Sequence, residues 1–211
     1  MYKVLLFFAL LILYSLSYSQ TENVENKVIK IAENNLSVSL SKIPIGMEKY
    51  YGFSDRKEFI DASIGKPYRV ISLSNEFYSN QKLSTTNYIQ IKNEWRVPVI
   101  VKGANKILLT VIRQDTSFEV VDLGGAALAE ELQQKSKYSF NDELYILRIY
   151  PLAIDFFVRI SVGSSFSEAL YIPLNSAING LSSLKEKNLT KLNLTDVFSI
   201  TKQKLSKPYK D

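Results

Sequence analysis

Hydrophobic residues recur with period two between Ile89 and Val101. Ile89, Ile91, Trp95, Val97, Val99 and Val101 share one side, with Asn93 the exception, while Gln90, Lys92, Glu94 and Arg96 fill the other. Such alternation builds a strand with one buried and one wet face, as antiparallel sheets require. Pro98 falls on the polar side and has no amide hydrogen, which predicts an edge or a bulge there. Gly103-Ala104-Asn105 turns the chain into a second strand, 106–113, and Asp115-Thr116 into a third, 118–123. Three strands joined by tight turns make a meander. The same period returns over 154–162, where Ile154, Phe156, Val158, Ile160 and Val162 alternate with Asp155, Phe157, Arg159 and Ser161. An apolar run over 144–150, closed by Pro151, predicts the strand before it, and shorter runs predict strands at 68–73 and 169–174.

Helical spacing frames these strands. Val24, Val28, Ile31, Leu36 and Leu40 predict a helix over 21–42, stopped by Ile43-Pro44-Ile45-Gly46 because proline cannot continue the hydrogen-bond ladder. Ser54 and Asp55 predict the start of a short helix, with Phe59 and Ile60 facing inward. Leu128 and Leu132, one turn apart, predict a helix over 126–134. Thr195 reads as the cap of a last helix carrying Val197, Phe198, Ile200 and Leu205. Helix, antiparallel meander and helix in this order predict an α+β fold, an antiparallel sheet packed with a long N-terminal helix and further short helices. In element order alone this is similar to cystatin-like and nuclear-transport-factor-like cones. The likeness covers no motif residue and implies no function.

The first twenty residues, MYKVLLFFALLILYSLSYSQ, change the picture most. Lys3 supplies a positive start, Val4 to Tyr14 an uncharged apolar stretch, and Ser17-Tyr18-Ser19 small residues where a signal peptidase reads. The apolar run is shorter than the roughly 20 residues a stable transmembrane helix needs. Residues 1–19 are therefore expected to be a secretory signal peptide cleaved after Ser19, leaving 192 residues (211 minus 19) in the periplasm or outside the cell. An uncleaved N-terminal anchor is the alternative. The mature chain reads as one α+β domain over 20–180 and a polar, partly helical C-terminal extension over 181–211.

Composition supports a packed core, with 46% hydrophobic and 12% aromatic residues. The formal charge of +5 comes from dispersed lysines, densest at Lys202, Lys204, Lys207 and Lys210. Scattered charge of this kind makes a solvated exterior, and nucleic acid is not expected as a partner.

Candidate chemistry is limited by two absences. The 211 residues contain no histidine and no cysteine. Ser-His-Asp and Cys-His catalysis lack their base or nucleophile, and zinc, haem and iron–sulfur sites lack their usual ligands. No EF-hand spacing occurs, so neither a metal nor a cofactor is expected.

Four remaining patterns each have a structural reading beside the functional one. Gly124-Gly125 precedes a helix, but a dinucleotide turn needs three spaced glycines and a P-loop needs Gly-Lys-Ser/Thr, so the pair is expected to serve the chain's change of direction. Ser-x-x-Lys occurs six times, including Ser39/Lys42 and Ser54/Lys57, against about two expected by chance from the 24 Ser and 20 Lys, without the companion motifs of serine–lysine enzymes. Glu94, Asp122, Glu130 and Glu131 could supply paired carboxylates for glycan hydrolysis, though ordinary surface acids are the simpler reading. Tyr50, Tyr51, Phe53, Tyr78 and Trp95 could form a recognition groove, against the ordinary fate of aromatics in a core. No residue is singled out as catalytic, cofactor-binding or metal-ligating. The expected function is an exported, non-enzymatic binding domain for a protein or envelope component. The alternative is a small carboxylate-dependent hydrolase acting on envelope glycans.

Overall fold

The alternation that begins at Ile89 does run as one strand, and the rest of the sheet assembles around it. The computed structural model describes residues 24–79, 88–136, 142–186 and 189–206. Residues 1–19, expected to be a signal peptide, and the tail lysines Lys207 and Lys210 lie outside the described residues. The first helix, α1, covers 24–41. Strands β1 (Ser63–Ile64) and β2 (Tyr68–Leu73) follow, then α2 (Asn75–Ser79), β3 (Ile89–Val101), β4 (Ala104–Gln114) and β5 (Ser117–Gly124). Next come α3 (Ala126–Ser136), β6 (Asp142–Ile149), β7 (Ile154–Ser161), β8 (Leu170–Pro173), α4 (Asn175–Gly180), α5 (Ser182–Glu186) and α6 (Leu194–Leu205).

The fold is α+β. Its strands lie in the order β5-β4-β3-β2-β6-β7-β8, with β1 paired to β3. All pairs are antiparallel except β2 and β6, where Val70 lies opposite Ile146 and Ile71 opposite Leu147. The sheet is thus two antiparallel meanders fused along one parallel seam. A parallel pair needs a long crossover, and here the whole span from β3 through α3 is that crossover.

Parity assigns the two faces. Trp95, Val97 and Val99 pair with Val111, Leu109 and Ile107 and are buried beneath α1, with Val28, Ala32 and Leu40 from the helix. Across the seam the same face continues through Ile71, Leu147 and Phe156, covered by α2 and α6 through Phe77, Val197 and Phe198. Residues 181–206, expected as a polar extension, place Leu181, Leu184, Leu192, Leu194, Val197 and Phe198 in this cluster. The opposite face carries α3, whose Ala129 and Leu132 pack on Leu108, Ile146, Phe157 and Ile172. Helices therefore cover both faces, but α3 alone does not span the second.

Several local expectations are corrected. Ile60 is 88% exposed rather than inward, because residues Arg56–Asp61 form a 3-10 helix and Phe59 alone turns toward Phe53, at 4.9 Å between rings. That helix is capped by the Asp55 side chain, which accepts from the Lys57 amide at 2.7 Å. The last helix is capped by Asn193, not Thr195. The Asn193 side chain accepts from the Asp196 amide and the Asp196 carboxylate accepts from the Asn193 amide, a reciprocal capping box. Pro98 sits inside the sheet, not on its edge. Its missing donor costs nothing because the chain passes there from β1 to β2, and the Gly65 amide donates to the Pro98 carbonyl at 2.8 Å. A register shift between Val99 and Ile100 supplies the expected bulge one residue on.

Candidate functional site

The part of the second sheet face that α3 leaves uncovered is polar, and strand register explains why its residues meet. Arg96 on β3 lies opposite Thr110 on β4, and Thr110 lies opposite Asp122 on β5. On the other side of the seam, Ser72 on β2 pairs with Arg148 on β6, and Arg148 with Asp155 on β7. Two polar rows thus project from one face, and between them lies an open basin of about 460 Å³. Glu94, Arg96, Asp122, Arg148 and Tyr150 supply its polar wall. Gly124, Gly125, Leu108 and Leu128 supply the wall below the start of α3.

The arginines differ in their engagement. Arg96 is held at both ends of its fork: an ion pair to Glu94 at 2.7 Å and a hydrogen bond donated to the Thr110 hydroxyl at 2.5 Å. The other Glu94 oxygen accepts from the Tyr150 hydroxyl at 3.1 Å, across the seam. Burial and the Glu94 charge push the Tyr150 hydroxyl up to about 12, so it remains a donor at neutral pH. Arg148 is looser. Its guanidinium lies 5.7 Å from the Tyr150 ring centre, and its closest carboxylate is Asp155, at 3.9 Å. That exceeds hydrogen-bonding distance.

Behind Arg148 the site becomes dry. Asp155 is 6% exposed, and its Oδ1 has no hydrogen-bond partner among the described residues. Its Oδ2 accepts from the Ser176 hydroxyl at 3.4 Å. Burial pushes the Asp155 carboxyl up; Arg148 and Arg96 pull the other way without reversing it. Glu131 of α3 is likewise buried and raised, chiefly by desolvation, although both its oxygens accept from the Asn175 amide at 2.9 and 3.1 Å. That contact ties α3 to the first turn of α4.

The Gly124-Gly125 turn has its conformational role: Gly125 adopts φ +73°, which side chains rarely tolerate, and its carbonyl accepts from Ala129 to open α3. The turn also forms a wall of the basin, which its sequence alone does not disclose.

Other sequence candidates do not converge here. Trp95 and Phe53 are core residues, Tyr51 is half-buried and Tyr50 is 76% exposed, so these aromatics do not share a groove. Ser39 and Lys42 line a smaller groove of about 220 Å³ beside β5, without a hydrogen bond between hydroxyl and ammonium. Glu130 is exposed and lies outside the basin wall. Glu94 and Asp122, considered together from the sequence, do line one basin, although β4 separates their strands. Arg148, Tyr150 and Asp155 were missed. Their only sequence signal was Asp155, an acid among the alternating positions it shares with Phe157, Arg159 and Ser161. Among the described residues no group of side chains could hold a metal ion, and no helix is long and apolar enough to cross a membrane. No family model, curated protein or solved structure matches this chain, so its chemistry is read from these residues alone.

Proposed function

We propose that this chain is an exported, non-enzymatic recognition domain, periplasmic or secreted, that binds a protein or cell-envelope component through the basin on the second sheet face. The observation that carries the reading is the state of the basin's charged groups. Glu94, Arg96 and Thr110 on adjacent strands and Tyr150 in the 3-10 turn Tyr150–Leu152 that follows β6 hold one another in a fixed constellation, with Arg148 poised beside them. Fixed donors and acceptors at an open surface suit recognition. The Tyr150 hydroxyl beside Glu94 keeps its proton, its pKa pushed up to about 12, and so serves as a donor rather than a nucleophile at neutral pH. The leader-like N-terminal sequence supports export.

One observation favours a second reading, a carboxylate-dependent hydrolase. Asp155 is buried with its carboxyl raised, and the Glu94 charge is near enough to contribute to that rise. Two acids held in unlike environments are the arrangement glycan hydrolysis uses. Binding is preferred because Asp155 lies behind Arg148 and Glu94 is already engaged by Arg96 and Tyr150.

The test is affinity capture from a native envelope fraction by the mature chain, alongside Arg148→Gln and Glu94→Gln. The expected result is a component retained by the parent and lost with both variants, without turnover of cell-wall glycan. Glycan cleavage by the parent that Asp155→Asn abolishes would replace this reading with the hydrolase. Equal capture by all three proteins would move the binding surface away from the basin.

A further inference from the structure

Resting on the binding role of the basin, we infer that its ligand is a short zwitterionic peptide, its carboxylate end on Arg148 and its ammonium end on Asp122. The argument starts from charge satisfaction. Of the four charged side chains lining the basin, Glu94 and Arg96 neutralise each other at 2.7 Å. Arg148 has only the long ion pair to Asp155 behind it and Asp122 has none, and neither side chain makes a hydrogen bond among the described residues. Asp122 is exposed and in no ion pair; the nearest carboxylate to Arg148 stays 3.9 Å away. A ligand that complements both needs one negative and one positive end.

Asp155 strengthens the assignment of the negative end. Its buried Oδ1 lacks a hydrogen-bond partner and pairs with the Arg148 Nε only at 3.9 Å, so the arginine is restrained electrostatically from behind without its donors being consumed. A guanidinium with unoccupied parallel N–H groups is suited to a carboxylate taken in bidentate fashion. The start of α3 lies along the same wall, and the positive end of its helix dipole adds potential there. Tyr150 contributes a ring face beside Arg148.

Size selects among zwitterions. Arg148 and Asp122 stand on β6 and β5, with three strands between them in the sheet order. A single amino acid, whose charges are one carbon apart, does not reach both. Rounded into a sphere, a volume of about 460 Å³ is roughly 10 Å across, the length of about three extended residues. The peptide is therefore short, whether free or carried on an envelope polymer with both termini exposed.

The experiment is calorimetric titration of the mature chain with trialanine, N-acetyl-trialanine, trialanine amide, alanine and inorganic phosphate, with thermal melts confirming that each variant folds. Trialanine is expected to bind, and blocking either end to weaken it by about tenfold or more, equivalent to about 1.4 kcal/mol. Arg148→Gln should remove the preference for acid over amide, and Asp122→Asn the preference for free over acetylated amine. Competition by a captured envelope polymer identifies the carried source; its absence leaves the free peptide. Equal binding of the blocked and unblocked peptides overturns the inference. So does binding of phosphate or alanine as tight as that of trialanine, or no trialanine binding at millimolar concentration. Capture of an envelope component that depends on the basin, without peptide binding, removes this ligand class and leaves the binding role standing.

Discussion

Replacing Phe198 by alanine tests whether residues 181–206 belong to the folded core or merely follow it. Phe198 is buried in α6, its ring centre 5.0 Å from Phe77 and 5.8 Å from Tyr88. Those rings cover Ile71, Leu147 and Phe156 of the sheet, so one side chain joins α6, α2 and both sides of the parallel seam. Truncating a fully buried Phe costs about 3–5 kcal/mol through lost transfer energy and the cavity left behind. Against a total of about 5–15 kcal/mol for a domain, that is a large fraction. With a urea dependence of about 2 kcal/mol per molar, the midpoint should fall by about 2 M. Urea unfolding of the chain from residue 20 onward, followed by circular dichroism, reads this directly. Ser199→Ala, at an exposed neighbour, should stay within about 0.5 kcal/mol. If Phe198→Ala behaves like Ser199→Ala, α6 does not contribute to the core, and the packing argument for this half of the sheet fails.

Further outcomes follow from single contacts. Gly52→Ala should destabilise by about 2 kcal/mol or more, because Gly52 has φ +85° and a new Cβ would stand 2.3 Å from the Lys106 carbonyl oxygen. Gly46→Ala shares that φ but meets nothing within 4 Å, so its cost should be about 1 kcal/mol; thermal melts that rank the two in reverse would contradict the geometry. Asn193→Ala should lose about 1 kcal/mol with the capping box, whereas Thr195→Ala should lose almost nothing in the same melts. Asp155→Asn should raise the melting temperature at neutral pH. The folded Asp155 carboxyl is held above its ordinary value by burial, so the folded state binds this proton more tightly and stability falls as pH rises from the unfolded value through the folded one. The advantage of the asparagine variant should therefore shrink on acidification. A difference that grows toward low pH would refute the assignment of desolvation as the dominant cause. Glu48 and Glu58, lowered mainly by backbone hydrogen bonds, contribute with the opposite sign and are common to both proteins.

Much of the fold was legible because it is written in short-range periodicity. The alternation from Ile89 to Val101 and from Ile154 to Val162 located strands, and tight turns at Gly103 and Asp115 fixed their antiparallel neighbours. The seam between Val70 and Ile146 was not legible. It joins segments more than seventy residues apart, and an apolar run does not name its partner. The cap of α6 was misplaced by two residues because Asn193 and Thr195 are both competent acceptors, and only the reciprocal bond from Asp196 decides between them. The basin was half legible. Glu94 and Asp122 stood out as acids on two strands of one meander, with β4 between them. Their convergence with Arg148 and Tyr150 depends on the seam and on how far α3 reaches across the face. The aromatic stretch around Tyr50 misled, since a loop rich in rings looks the same in sequence whether its rings point inward or outward. Phe53 went to the core and Tyr50 to solvent.

The most direct test of the proposed basin as the binding surface is amide chemical-shift mapping of the isotopically labelled chain starting at residue 20, titrated with trialanine and with any component retained from an envelope fraction. The account predicts that the largest perturbations fall on residues 94–96, 122–128 and 148–150. Perturbations confined to the exposed apolar residues Ile45, Met47 and Tyr50, with the basin silent, would contradict it.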